Sequence, residues 1–370
     1  MKIFINNFHK DNVLEKFIDS RFEVYSRSGL NETEIRLINQ LAKQTDPQNI
    51  LILENRTGVL AMIAAKLFPF AKITVQNIDR YYCDKIEHNL KHNEFMNIQV
   101  KCAPDINDNY DLILYQQTMA NLIKEFVLDL IQQSHKALKI KSKLFLSLEK
   151  KEKFITENMQ LLFGGATIDN LNEKGLTLIG KKKYTDVHYF DFVSEFEFTD
   201  AGNILKFQSV PGVFAHHRID AGAKALIDTI EIDQEDTLLD MGCGIGSIGI
   251  ALARRKIFDQ IYFVDSNSRA IKMTEINCRV NAIQNYQTEL TAIGFNSPSP
   301  CQLFTGNPPY FSDYRIAGIF VDTAYNNLLK DCKAWFVARN PIKLRKIINK
   351  KFNNCHEVRH HGYSILSAIR

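Results

Sequence analysis

The stretch Thr237–Arg255, TLLDMGCGIGSIGIALARR, decides how this chain is read. TLLDMG reads as a strand running into a turn, and SIGIALARR as the start of a helix, with glycines at 242, 244, 246 and 249. Glycine lets a backbone turn tightly and approach a ligand, and a helix N-terminus presents N–H groups without intrahelical partners. Working outward, QIYFVD (260–265) is a second strand, SRAIKMTEINCRVNAI (268–283) a helix and CQLFTG (301–306) a further strand. AYNNLLKDC (324–332) then reads as a helix, AWFVAR (334–339) as a strand, LRKIINKKF (344–352) as a helix and EVRHHGYSILSAIR (357–370) as a strand pair. This alternation predicts a mostly parallel sheet with helices on both faces.

The N-terminal half repeats the order. NILILENRTGVLAMIAAKLF (49–68) matches the first strand, turn and helix, and KITVQNIDRYY (72–82) the second strand. The helices that follow share a pattern: EHNLKHN at Glu87–Asn93 and EINCRVN at Glu275–Asn281, each with Glu, Asn two later and Asn six later. YDLILYQQT (110–118) then stands where the second half has CQLFTGNPP. Three features in one order argue for an internal duplication. The copies differ where chemistry would occur: the first keeps only Gly58 of the turn glycines and has Gln116-Gln117-Thr118 in place of Asn307-Pro308-Pro309. The first copy therefore reads as a fold kept after its site was lost. Between the copies, DFVSEFEFTDAGNILKFQS (191–209) alternates apolar and polar residues about an Asp-Ala-Gly turn and predicts a hairpin. The expected division is 1–190, a hairpin connector over 191–210, and a catalytic domain over 211–370.

With 370 residues the chain has room for two cores. No run approaches the roughly 18 apolar residues of a membrane span, and the start, MKIFINNFHKDNVLEKF, turns polar too early for a secretory signal. Seven cysteines lie scattered without a C-x-x-C pair, which suits a reducing compartment, so a cytoplasmic location is expected and no metal. Net charge is only +4, but Asp331–Arg370 holds nine Lys or Arg against two acids, and Lys136–Lys153 seven Lys against two Glu, with Lys181, Lys182 and Lys183 following. Clusters of this kind are the footprint of a phosphate-backbone binder, set against the plainer reading of solvated helix faces.

The glycine turn alone fits a nicotinamide-binding domain as well. Asp240, directly before the glycines, would repel a pyrophosphate and suits the cationic amino acid end of S-adenosyl-L-methionine. Asp265 ends the next strand, where an acid can bond the ribose hydroxyls. Asp240, Gly242, Gly244, Gly246 and Asp265 are therefore the expected cofactor residues. The other expected site is GNPPY, Gly306–Tyr310, at the C-terminal edge of the sheet. An exocyclic amine conjugated to a ring is a poor nucleophile, because its lone pair is delocalised. The side-chain oxygen of Asn307 and the carbonyl of Pro308 can each accept one of its N–H groups, leaving the lone pair aimed at a methyl donor. Pro308 and Pro309 stiffen the loop, and Tyr310 would stack on the base. Such a site fits adenine N6, guanine N2, cytosine N4 or a glutamine amide. Cys243, inside the glycine turn, reads as a packing residue.

With these motifs in place the chain resembles the ribosomal RNA guanine-N2 methyltransferases typified by RsmC and RlmG. PGVF (211–214) with IDAG (219–222), LLDMGCGIG (238–246), GNPPY, WFVAR and the ending KKFNNCHEVRHHGYSILSAI carry the resemblance, and NILILENRTGVL resembles the family's degenerate first copy. It implies two tandem Rossmann-like class I methyltransferase domains, the N-terminal one degenerate. It also implies methyl transfer from S-adenosyl-L-methionine to N2 of one guanosine in ribosomal RNA, naked or in a subunit; the oligomeric state is not fixed by the sequence, and a monomer is the expectation. The family usually has Phe where Tyr310 stands and His where Phe311 stands. Phe214, in its PGVF setting, would lie by the sulfonium and stabilise it through its ring; the plainer reading is a core phenylalanine. The alternatives are an adenine-N6 or protein glutamine-N5 methyltransferase, and a non-catalytic RNA-binding ribosome assembly factor.

Overall fold

The computed structural model describes residues 2–4, 23–25, 31–118, 123–172, 174–233, 235–309 and 314–370. The chain divides into two compact units, Met1–Phe192 and Val193–Arg370.

The first unit opens on a short antiparallel pair, β1 (Lys2–Phe4) and β2 (Glu23–Tyr25). There follow α1 (Glu32–Leu41), β3 (Asn49–Leu53), α2 (Val59–Leu67), β4 (Lys72–Asn77), α3 (Arg80–His92), β5 (Ile98–Cys102) and β6 (Tyr110–Gln117). Next come α4 (Lys124–Ala137), β7 (Leu138–Leu148), α5 (Lys153–Phe163), β8 (Ala166–Asn172) and β9 (Gly175–Lys181). The main sheet has the order β5-β4-β3-β6-β7-β9-β8, parallel as far as β7 and antiparallel beyond it.

The second unit opens on β10 (Ser194–Asp200) and β11 (Asn203–Ser209), then α6 (Ala221–Thr229), β12 (Thr237–Met241), α7 (Ser247–Arg255), β13 (Gln260–Asp265) and α8 (Ser268–Val280). It continues with β14 (Tyr286–Leu290), β15 (Cys301–Gly306), α9 (Arg315–Asn327), β16 (Leu328–Ala338), α10 (Pro341–Ile348), β17 (Asn353–His360) and β18 (Tyr363–Ile369). Its order, β14-β13-β12-β15-β16-β18-β17, is that of the first unit. Both are doubly wound, Rossmann-like sheets, as the alternation predicted. The chain leaves β12 to one side for β13 and β14, then crosses to β15 on the other, opening a crevice at the C-terminal ends of β12 and β15. Successive residues of β12 feed opposite faces, Leu238 one core layer and Leu239 the other, and both are fully buried.

The duplication holds residue by residue. From β3 to α3 each element recurs 188 residues later: Asn49 at Thr237, Val59 at Ser247, Lys72 at Gln260, Arg80 at Ser268. Gly58 (φ 82°) and Gly246 (φ 81°) both start their helices in the left-handed region. The shared Glu-x-Asn pattern has a physical cause. Asn89 donates from Nδ2 to the Thr57 carbonyl at 2.8 Å, and Asn277 to the Ile245 carbonyl at 3.0 Å, so each amide clamps the residue before the turn glycine. Asn93 and Asn281, at the helix C-caps, each donate to the carbonyl four residues back.

Two readings change. The hairpin expected as a connector lies inside the second unit, fastened along α8. Asn277 accepts from the Gln208 N–H (2.7 Å) and donates to the Gln208 carbonyl (2.9 Å); Asn281 does the same for Lys206 (3.0 and 2.7 Å). Two side-chain amides one helical turn apart stand in for a neighbouring strand. In the first unit α3 likewise packs against β2. The second change is that α9 ends at Asn327, so Leu328–Cys332, read as helix, begins β16. The chain passes from helix to strand with no Gly or Pro to mark the change, and fully buried Leu328 pairs with Cys301.

Asn277 is fully buried and holds three backbone groups, whereas Asn281 is slightly exposed. Asn277→Ala should cost about 3 kcal/mol and Asn281→Ala about 1 kcal/mol. Urea unfolding followed by Trp335, the single tryptophan, which lies in the second unit, checks this order.

Candidate functional site

The glycine turn after β12 is held from beneath and open above. The Gly242 and Cys243 N–H groups both donate to the Val264 carbonyl, at 2.7 and 3.1 Å, and Gly246 donates to Cys243 at 2.8 Å. Thr274 on α8 donates its hydroxyl to the Gly244 carbonyl at 3.0 Å. Gly242, Gly244 and Gly246 have φ of 69°, 59° and 81°. A Cβ added at Gly244 would meet nothing within 4 Å, so this is the open side of the turn. Asp265 borders it, accepting from the Gly244 N–H through Oδ2 and from the Asn267 N–H through Oδ1, both at 2.9 Å.

Asp240 is placed otherwise than expected. It is fully buried, with Oδ1 accepting from the Thr305 hydroxyl at 2.8 Å and Oδ2 from the Gly249 N–H at 3.1 Å. The carboxylate thus ties β12 to β15 and to the first turn of α7, beneath the loop rather than on its open face. Burial pushes it up, its two hydrogen bonds pull it back and Asp265 opposes them, leaving it at about 6 against an ordinary 3.8. Cys243 is buried and bonded to Thr274, and burial with two nearby carboxylates raises its thiol far above the reactive range. The packing reading of Cys243 holds.

Asn307 follows β15 directly and is half-buried; Pro308 is buried and Pro309 half-buried. Tyr310 and Phe311 lie outside the described residues. Asn307 donates from Nδ2 to Oδ2 of Asp220 at 3.0 Å. Asp220 is the N-cap of α6, and the same oxygen accepts from the Gly222 and Ala223 N–H groups at 2.9 and 3.0 Å. A carboxylate only accepts, so the amide must turn its NH₂ toward Asp220 and point Oδ1 away, where among the described residues it accepts no hydrogen bond. The sequence signal was an Asp before Ala-Gly-Ala at a helix start, which marks a cap but does not say what else the cap holds.

Phe214 is 70 % exposed, which removes the core reading. Its turn is fastened to the start of α8: Asn267 donates to the Gly212 carbonyl at 2.7 Å and Arg269 to the Pro211 carbonyl at 2.6 Å. Since Asn267 also bonds Asp265, the PGVF turn and the glycine turn share one anchor. Arg339, following β16, lies with its guanidinium 5.6 Å from the ring of Tyr363. A Cβ at Gly222 would come within 3.1 Å of that ring, so both stand by the Asp220 cap.

In the first unit the same backbone carries different groups. Ile52 pairs with Leu114 where Asp240 pairs with Thr305. Asn77 stands for Asp265 and accepts from the Asp79 N–H as Asp265 does from Asn267. Arg56 stands for Gly244, its guanidinium 4.8 Å from the Tyr82 ring. Glu34, fully enclosed and raised by burial, accepts from Asn55 and Thr57 within the loop. Gln116 donates to the α1 N-cap Asn31 at 3.1 Å, repeating the bond of Asn307 to Asp220.

Of the basic clusters, Lys343, Lys346, Lys350 and Lys351 are exposed on and after α10, and Lys139, Lys141 and Lys143 line an open groove with Gln44 and Gln48. Lys182 departs from the expectation: it is buried, its ammonium donating to the carbonyls of Lys136 and Leu138 where α4 meets β7. Asp228, His360 and His361 bring ligand atoms within 4.8 Å of one another, but Lys224 already pairs with Asp228 at 2.9 Å and opposes a cation there. Among the described residues no helix is long and apolar enough to cross a membrane.

Residues 204–367 match the methyltransferase small domain family. Ribosomal RNA small subunit methyltransferase C of Vibrio vulnificus is 28% identical over 169 residues, 45% of this chain and 49% of that protein. The protein of that name from Pseudomonas syringae pv. syringae is 30% identical over 44% of this chain and 50% of its own length. The chain thus spans about half the length of these two relatives. The uncharacterized protein YbxB of Bacillus subtilis is 30% identical over 173 residues, 44% of this chain and 84% of that one. Among solved structures, the T. thermophilus 16S rRNA N2 G1207 methyltransferase, in complex with AdoMet and guanosine, superposes with a TM-score of 0.76. The match covers 95% of this chain and 96% of that one at 18% identity, and establishes the fold of both units.

The Asp240 environment sets a pH dependence. The folded carboxyl keeps its proton to higher pH than the unfolded one. Its contribution is therefore fully present below 3.8 and is lost as pH rises through about 6. Asp240→Asn should flatten that slope in the urea midpoint read by Trp335; an unchanged slope assigns the dependence to other groups.

Proposed function

The chain belongs to the methyltransferase small domain family, and on that premise we propose that it is an S-adenosyl-L-methionine-dependent enzyme that methylates the exocyclic N2 amine of a guanosine in ribosomal RNA. One observation carries the reading: Asn307 donates its NH₂ to Asp220, so that among the described residues its carbonyl oxygen is the end left for a substrate, directly before two prolines and at the crevice beside the glycine turn. The matched RNA methyltransferases, and the fold shared with a solved 16S rRNA N2 methyltransferase, support RNA as the substrate and make small-subunit RNA the first to try.

The residues fit the cofactor. Gly244 offers an open face that any side chain would fill, and Asp265 stands at its edge to accept from hydroxyls. When bound, the cofactor supplies an electrophilic methyl group on a sulfonium. Asp240, from below, keeps the turn and β15 in register, and Phe214 is free to cover the site. The Asn307 oxygen and the Pro308 carbonyl accept the two N–H groups of the amine, so its lone pair is turned out of conjugation and its growing positive charge faces two acceptor dipoles. No strong base is needed, because the proton leaves after transfer. Tyr310 stacks on the base, which is first drawn out of its helix. The exposed lysines of both units hold the RNA backbone in a salt-dependent, largely sequence-independent way. The protein works as a monomer in the cytoplasm, with its substrate.

Transfer of labelled methyl to naked rRNA and to both ribosomal subunits, from cells lacking the protein, tests this. Asn307→Ala should lower the rate about 10²–10³-fold, and Gly244→Leu should abolish cofactor binding measured by calorimetry. Label on guanosine N2 supports the proposal. Label on adenosine or on protein glutamine overturns the substrate, and no label on any of these overturns the enzyme reading in favour of an assembly role.

A further inference from the structure

We propose that Asp220 is a positioning residue for methyl transfer: its carboxylate fixes the orientation and raises the acceptor strength of the Asn307 amide. This rests on the function proposed above and deepens it.

A primary amide has two ends of nearly equal size. In an Asn-Pro-Pro loop the prolines fix the backbone, yet they leave the side-chain amide free to present either NH₂ or C=O to the substrate. Only the carbonyl end can accept an amine N–H; the reversed amide would aim a donor at a donor. Among the described residues, the contact that breaks this symmetry is the 3.0 Å bond from Nδ2 to Asp220. Donation to a carboxylate is charge-assisted, and it polarises the amide so that its oxygen carries more negative charge. The charge also stands one side chain away from the amine that becomes cationic during transfer.

Asp220 is itself held rigidly. Its Oδ2 takes the N–H groups of Gly222 and Ala223, the second and third residues of α6, and α6 packs against β16 and β18 of the same sheet. The amide is thus referenced to the helix and the sheet together. In the first unit the corresponding bond runs from Gln116 to Asn31, amide to amide. That neutral cap preserves the contact but supplies neither the charge nor an acceptor-only partner. The carboxylate belongs to the copy with the Asn-Pro-Pro loop.

A simple capping role has to be separated from this one, and Asp220→Ser does so. Serine caps a helix well but is too short to reach Asn307, so the melting temperature should stay near wild type. kcat should fall about ten- to a hundredfold, with KM for cofactor and RNA little changed. A reciprocal swap gives the sharper result. Asn307→Asp sets two carboxylates face to face and should be nearly inactive at neutral pH, since one must take up a proton. Asp220→Asn added to it restores a donor–acceptor pair with an oxygen facing the amine, and should recover activity at least tenfold over the single variant.

A readout independent of turnover is the NMR signal of the Asn307 Nδ2 protons, assigned by their loss in Asn307→Ala. One should resonate downfield and exchange slowly in the wild type, and should lose both properties in Asp220→Ser. Unchanged Nδ2 signals, or an unchanged kcat with active wild type, overturn the assignment to Asp220. A wild type that transfers no methyl overturns the proposed function instead, and the NMR comparison still decides the orientation.

Discussion

A side-chain amide can satisfy a backbone N–H and a backbone carbonyl at once, and the second unit is assembled around one that does. Asn277 sits fully buried on α8 and bonds both polar groups of Gln208 in the hairpin and the carbonyl of Ile245 in the glycine turn. One residue therefore sets the distance between three parts that the sequence separates by dozens of positions. The turn keeps its left-handed glycines in place, the hairpin edge is covered, and α8 is fixed so that its first turn can carry the PGVF segment through Asn267 and Arg269. The same amide-to-turn bond in the first unit, from Asn89 to Thr57, shows that this clamp serves the fold rather than the ligand.

The two units separate the requirements of a fold from those of a site. A constant offset of 188 residues, matching left-handed helix caps and matching amide clamps show one backbone solution used twice. What differs is chemistry laid on that backbone. Ile52 and Leu114 replace a buried acid and its hydroxyl partner, a substitution of one satisfied pair by an apolar one. Arg56 takes the position of Gly244 and lies against Tyr82, and Glu34 brings a carboxyl into the loop to bond Asn55 and Thr57. Fold persists because strand order and turn geometry depend on backbone and core, both of which are retained.

Much of this was legible in the residues. Strand–glycine–helix at Thr237–Arg255 and the period of the elements around it required a doubly wound sheet, and the paired Glu-x-Asn patterns exposed the duplication. QIYFVD and CQLFTG were bounded as the structure has them, since each ends at a residue that stops a strand. The passage from α9 into β16 was not legible, because a helix that becomes a strand without a turn has no punctuating residue. The place of the hairpin escaped too: alternation identifies two strands but not which neighbour they lie on, and Asn277, the α8 residue that holds Gln208, lies 69 residues beyond it.

By itself the sequence determined the class of fold, the repeated unit and the residue types of a candidate site, because periodicity, glycine and proline act locally. Only the tertiary structure decided what those residues face. It put Asp240 under the loop and not on its open side, exposed Phe214, withdrew Lys182 from the surface, and turned the amide of Asn307 by means of Asp220, 87 residues earlier. A side chain's direction and partners depend on which elements pack together, and that is set by burial and hydrogen bonding across the whole unit rather than by any stretch of the chain.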